Sequence, residues 1–139
     1  MREFGQLESA VMEVVWAQDQ PCLVREVRER LHYPRPVAYT TVMTVMTILH
    51  GKGVLRREKQ GRAWRYWPAE AREEHDARLM AEALRSGGDR QVTLRRFADL
   101  ATEEELDALR RAVRVVRAAR AIRAAGPAAP PALPSRRAG

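Results

Sequence analysis

Apolar positions recur along this chain first at helical spacing, then in alternation, then at helical spacing again, and that order predicts the architecture. Leu7, Val11, Val14 and Val15 fall at i, i+4, i+7 and i+8, one face of a helix over residues 6–17. Asp19-Gln20-Pro21 breaks it. A second helix turns Val24, Val27 and Leu31 inward and Arg25, Glu26, Arg28 and Glu29 outward. Pro34 and Pro36 end that element, because proline lacks the backbone donor and restricts its predecessor. Residues 38–51 read as a third helix despite their β-branched content, with Val42, Val45, Met46 and Leu49 on one continuous apolar face. Two extended runs, 54–59 and 62–67, flank Gln60-Gly61, the spacing of a two-residue hairpin loop with Gly61 at positive φ. Three helices and a hairpin in that order form the layout of a winged helix-turn-helix.

Helical spacing then resumes. Residues 70–85 carry Leu79, Met80, Ala83 and Leu84 on one side, and Ser86-Gly87-Gly88-Asp89 breaks the run, with Asp89 placed to cap the next helix. That helix, 90–100, presents Leu94, Phe97 and Leu100; Thr102-x-x-Glu105 opens a sixth as a capping box, continued by Leu106, Leu109, Val113 and Val116. Beyond Gly126 the proline- and alanine-rich stretch lacks the means to bury a core and is expected to be disordered. The expected class is mostly α with a small β-hairpin wing. It comprises a winged helix-turn-helix over 1–69, a three-helix dimerisation segment over 70–123 and a tail over 124–139. The last three helices have no sheet to cover, so Leu79, Met80, Ala83, Leu84, Leu94, Phe97, Leu106 and Leu109 are candidates for a homodimer interface. The alternative is a helical cap folding back on the first domain.

Charge sharpens the picture. The formal net charge is +7, and residues 35–65 hold seven basic side chains against the single acid Glu58. Positive charge thus gathers at the end of the third helix and on the hairpin, where phosphate contacts belong in a nucleic-acid reader. The outer face of the third helix carries Thr40, Thr41, Met43, Thr44, Thr47 and Ile48 and no charge, unlike an ordinary solvated helix. Thr40, Thr41, Met43, Thr44 and Thr47 are therefore the candidate base-reading residues, suited to A/T-containing steps through threonine hydroxyls and methyl contacts. Tyr39, Arg57, Lys59, Arg62 and Arg65 are candidate phosphate ligands that fix register without specifying sequence. For Tyr39 an anchoring role between helices is equally open. Trp64 and Tyr66 share a strand face and are read as packing the wing onto the helices; Trp16 and Trp67 are read the same way. A second basic stretch, Arg110 to Arg123 with Arg136 and Arg137, is either a further anion-binding arm or a solvated helix end.

Other chemistry is thinly represented. The lone Cys22 has no disulfide partner and is read as filling space, and no Cys/His cluster has metal-ligand spacing. His32, His50 and His75 are read as surface or helix-end residues. No nucleophile–base set, phosphate-binding glycine loop or small-molecule site can be assembled, so neither an enzyme nor a cofactor is expected. No signal-type or membrane-spanning apolar stretch is present, and a cytoplasmic location is expected. A winged helix used as a protein-interaction or architectural module is the competing class; it would lack a polar reading face and a basic wing.

Several segments together resemble the BlaI/MecI/CopY family of penicillinase-type repressors. They are Leu7-Glu8, Val11-Met12, Val15-Trp16, Val24-Arg25-Glu26-Val27, Ala38-Tyr39-Thr40-Thr41-Val42-Met43-Thr44-Val45, Lys52-Gly53 and Gly61-Arg62-Ala63-Trp64-Arg65-Tyr66 with Pro68. Abundant alanine and the absence of asparagine suit a GC-rich genome and an actinobacterial-like member. The resemblance implies a winged-helix domain, helical dimerisation, and repression through a palindromic double-stranded operator, in some members of β-lactam-resistance genes. It also implies a membrane-bound sensor protease as a candidate partner, which in some members triggers cleavage at an Asn-Phe bond. The aligned bond here is Arg96-Phe97, which lacks the asparagine. Thr47-Ile48 stands where members usually carry Asp-Arg, and the cysteine cluster of the copper-sensing branch is missing.

Overall fold

The structure, a computed structural model, describes residues 4–127, 129–132 and 134. The element order is α1 (Gln6–Ala17), β1 (Cys22–Leu23), α2 (Val24–Arg30), α3 (Tyr39–Gly51), β2 (Leu55–Gln60), β3 (Ala63–Pro68), α4 (Arg72–Ser86), α5 (Arg90–Leu100) and α6 (Glu103–Ala125). The chain divides into two compact units, Met1–Gly88 and Asp89–Gly139.

In the first unit the apolar stripes meet as their spacing requires. Val11, Met12, Val14 and Val15 of α1, Val24 and Val27 of α2, and Val42, Met46 and Leu49 of α3 are buried together with Leu55 and Tyr66 of the sheet. Each fully buried side chain of this size contributes about 1.5–3 kcal/mol. Leu31 and Val45 pack against the cluster's edge.

The sheet is mixed in length but wholly antiparallel, in the order β1-β3-β2. β1 was not expected. Two residues are too few to show an alternating pattern, yet Cys22 and Leu23 pair with Tyr66 and Arg65 and so dock the wing's base onto the start of α2. Burial pushes the Cys22 thiol pKa up, the negative charge of Glu26 adds to the rise, and Arg30 opposes it. The hairpin loop is Gly61-Arg62 rather than Gln60-Gly61, because Gln60 pairs with Ala63. Gly61 does take positive φ, +64°, and as the first of two loop residues it matches the II′ turn that suits strand twist.

The register keeps Trp64 and Tyr66 on one strand face, as expected, and burial separates them. Leu55, Arg57 and Lys59 lie opposite Pro68, Tyr66 and Trp64, so these six share one face. Tyr66 is 1% exposed and belongs to the core, whereas Trp64 is 37% exposed and lies outside it. The hairpin simply outruns the core, and alternation alone does not reveal where along a strand burial stops. Trp16 is half-buried at the core's edge, where its Nε1 donates to the carbonyl of Glu70 at 3.2 Å.

His75 is a second correction. It is 2% exposed rather than at the surface, stacked on Phe4 with ring centroids 4.6 Å apart and tilted against Trp16 at 5.4 Å. Its Nδ1 faces Glu70 Oε1 at 3.5 Å without a hydrogen bond, and Glu70 is also paired with Arg78. Arg72 adds a two-pronged contact to Glu13, 2.7 Å on each side, so α4 is fastened to α1 by ring stacking and by charge.

The second unit begins as its caps dictate. Asp89 accepts from the amides of Gln91 and Val92, and Thr102 Oγ1 accepts from the amide of Glu105. Neither α5 nor α6 buries a residue. α6 runs to Ala125, two residues into the stretch expected as a tail; the described residues after Gly126 carry neither helix nor strand, and residues 128, 133 and 135–139 of that stretch lie outside the described residues.

Candidate nucleic-acid interface

Burial of Val42, Met46 and Leu49 fixes which side of α3 faces outward. Tyr39, Thr40, Thr41, Met43, Thr44, Thr47 and Ile48 are all exposed, Met43 at 41% and Ile48 at 44%. Two of the threonines are already engaged. Thr44 Oγ1 donates to the Thr40 carbonyl and Thr47 Oγ1 to the Met43 carbonyl, each at 2.9 Å. Their hydroxyl protons are therefore spent within the helix, which leaves oxygen lone pairs and methyl groups as what they offer outward.

Between this face and the wing runs a groove of about 550 Å³. It collects Met43, Thr44 and Thr47 from the expected reading face, and Tyr39, Arg57 and Arg62 from the expected phosphate set. Ile48, Trp64 and Arg25 line it as well. Thr40 and Thr41 stay on the exposed helix surface outside the groove. Lys59 lies over the Trp64 ring at 5.6 Å from its centre. Arg65 sits apart: its register opposite Glu58 and Leu23 places it on the other face of the sheet, half-buried.

Within the groove wall the Arg57 guanidinium lies 4.2 Å from the Trp64 ring centre, and its Nη1 donates to Tyr66 Oη at 3.4 Å. Lys52, part of the basic segment in sequence, is spoken for: its Nζ meets both Glu8 carboxylate oxygens at 3.0 and 3.1 Å, tying α3 to α1. Ile48 was visible on the reading face in sequence. Arg25 was read only as an outward residue of α2, and nothing in its spacing points to the groove.

The candidate interface residues in α4 divide between half-buried Leu79 and Leu84 and exposed Met80 and Ala83. In α5 and α6, Leu94, Phe97 and Leu109 are exposed and Leu106 is half-buried. Arg96 and Phe97 lie inside α5, in regular helix. Among the described residues no group of His, Cys, Asp and Glu is arranged to hold a metal, and no helix is long and apolar enough to cross a membrane.

A three-stranded antiparallel wing on three helices, with an uncharged outward face on the third, defines a winged helix-turn-helix. The sequence model of the penicillinase repressor family matches residues 4–114, and the chain belongs to that family. It is 41% identical over 116 residues to the transcriptional regulator BlaI of Mycobacterium tuberculosis (strain CDC 1551 / Oshkosh), an alignment covering 81% of this chain and 84% of the relative. The protein of the same name from strain ATCC 25618 / H37Rv matches to the same extent. The family is one of transcriptional repressors, and the chain is a regulator rather than an enzyme.

Proposed function

We propose that the chain represses transcription by binding a palindromic double-stranded DNA operator as a homodimer, with α3 in the major groove and the wing on the flanking backbone. One observation carries the reading: an uncharged, methyl-rich helix face and three arginines, Arg25, Arg57 and Arg62, converge on a single groove. A helix of this kind fits the major groove, where threonine and methionine meet base edges and thymine methyls. Arg57, Arg62 and Lys59 supply backbone contacts from the wing and Tyr39 from the helix start, with Arg65 reaching the backbone from the wing's other face. One winged helix offers few contacts, so two half-sites are needed for useful specificity. The exposed Leu94, Phe97, Leu109, Val113 and Val116 supply the apolar surface through which two copies would associate.

The regulated genes are those for β-lactam resistance or related functions, as the penicillinase repressor family suggests, and the site of action is the cytoplasm. Control by a membrane-bound sensor protease would act at Arg96-Phe97 and would require α5 to unwind there, because proteases bind extended backbone. Selection of genomic fragments by the purified protein tests the proposal. An enriched palindrome with A/T-containing half-sites is the expected outcome; recovery of no sequence preference would leave only a backbone-binding or protein-directed winged helix.

A further inference from the structure

Arginine is a flexible side chain, and a wing that uses one to hold DNA must order it on binding. Arg57 is ordered before any DNA arrives. Its guanidinium lies over Trp64 at 4.2 Å, and one of its N–H groups is anchored on the Tyr66 hydroxyl at 3.4 Å. The two aromatics differ in what surrounds them: Tyr66 is locked in the core, while Trp64 is 37% exposed at the groove, with Arg57 over its ring at 4.2 Å and Lys59 at 5.6 Å. Stacking occupies the guanidinium's face and leaves its edge, so four of arginine's five N–H donors remain available in the plane. Arg57, Trp64 and Tyr66 all line the groove beside the outward face of α3.

We propose that Trp64 and Tyr66 are positioning residues that hold Arg57 as a pre-set anchor for a DNA phosphate at the groove wall. This rests on the reading of the wing as the backbone-contacting element. Trp64 touches no DNA in this scheme; it acts through Arg57 by removing the ordering cost of that side chain. The effect is therefore the same on every DNA sequence.

A double-mutant cycle on binding tests it, using the full chain with a duplex carrying the selected site and a shuffled duplex of equal composition. Trp64→Leu should weaken binding to both duplexes by about threefold to tenfold per wing, the range expected for immobilising one long side chain. Trp64→Phe should keep part of the effect. Arg57→Ala should weaken both and flatten the salt slope by about one unit per wing. Adding Trp64→Leu to Arg57→Ala should cost much less than Trp64→Leu alone, because the main residue it positions is already gone and only the longer contact to Lys59, 5.6 Å from the ring centre, remains to be lost. An equal loss from Trp64→Leu with and without Arg57 would overturn the proposal, as would a salt slope unmoved by Arg57→Ala. Loss of preference for the selected site, with the cycle intact on both duplexes, would overturn the operator reading and leave the anchor standing.

Discussion

The engagement of Thr44 inside its own helix makes its contribution separable by two substitutions. Thr44 Oγ1 donates to the Thr40 carbonyl at 2.9 Å, so on the proposed reading the side chain offers DNA a methyl group and lone pairs but no free proton. Thr44→Val keeps the branched shape and the methyl; Thr44→Ala removes both branches. Threonine and valine have similar helix propensities and alanine a higher one, so neither change unfolds an exposed position of α3. A lost methyl contact is worth about 0.8 kcal/mol, or about 1.6 kcal/mol over two half-sites, roughly a fifteenfold loss of affinity for the alanine variant. Valine should stay within about threefold of the wild type on the same conversion. A hydroxyl accepting from a base amine would instead cost valine about 1–3 kcal/mol at each half-site. Fluorescence anisotropy titrations on the selected site and a shuffled duplex read the difference, with the shuffled duplex nearly indifferent to both changes. Equal losses for valine and alanine would refute the methyl argument. An alanine loss of the same size on both duplexes would refute the assignment of α3 as the reading helix.

Three further outcomes follow from the same geometry. Gly61→Ala meets no neighbour within 4 Å but must hold φ near +64°, so it should cost about 1 kcal/mol through backbone strain alone. A lower urea midpoint and weaker binding to any duplex would register it. Leu109→Glu should shift the proposed dimer towards monomer in sedimentation experiments and weaken binding to the selected site, while the melting of the winged unit stays unchanged. For Cys22, the folded thiol pKa lies above the unfolded one, so its contribution to stability is present below the unfolded pKa and is lost as pH rises through the folded one. Stability should therefore fall at alkaline pH more steeply in the wild type than in Cys22→Ala, and a thiol reagent should react slowly until denaturant is added.

The helices were legible because each has a long apolar stripe whose period survives charged neighbours, and their caps, Asp89 and Thr102, are local chemistry. What escaped the sequence depends on partners distant along the chain. β1 exists only because β3 lies beside it, and Gly61 was compatible with either loop register until Gln60 and Ala63 paired. Trp64 and Tyr66 look alike in alternation and both line the groove, but one is exposed there and the other is buried in the core. His75 is buried by Phe4 and Trp16, which arrive from α1 and the segment before it, so no spacing around His75 foretells its burial. The outward face of α3 was visible for the opposite reason: a helix with no charge on its outer side is conspicuous in sequence.

The most direct test is a salt series of binding to the selected palindrome and to its shuffled counterpart, with stoichiometry measured in parallel. The account predicts two chains per palindrome, a steep fall of affinity with salt on both duplexes, and a preference for the palindrome on the order of a thousandfold or more. Equal affinity for the two duplexes, or binding indifferent to salt, would contradict it.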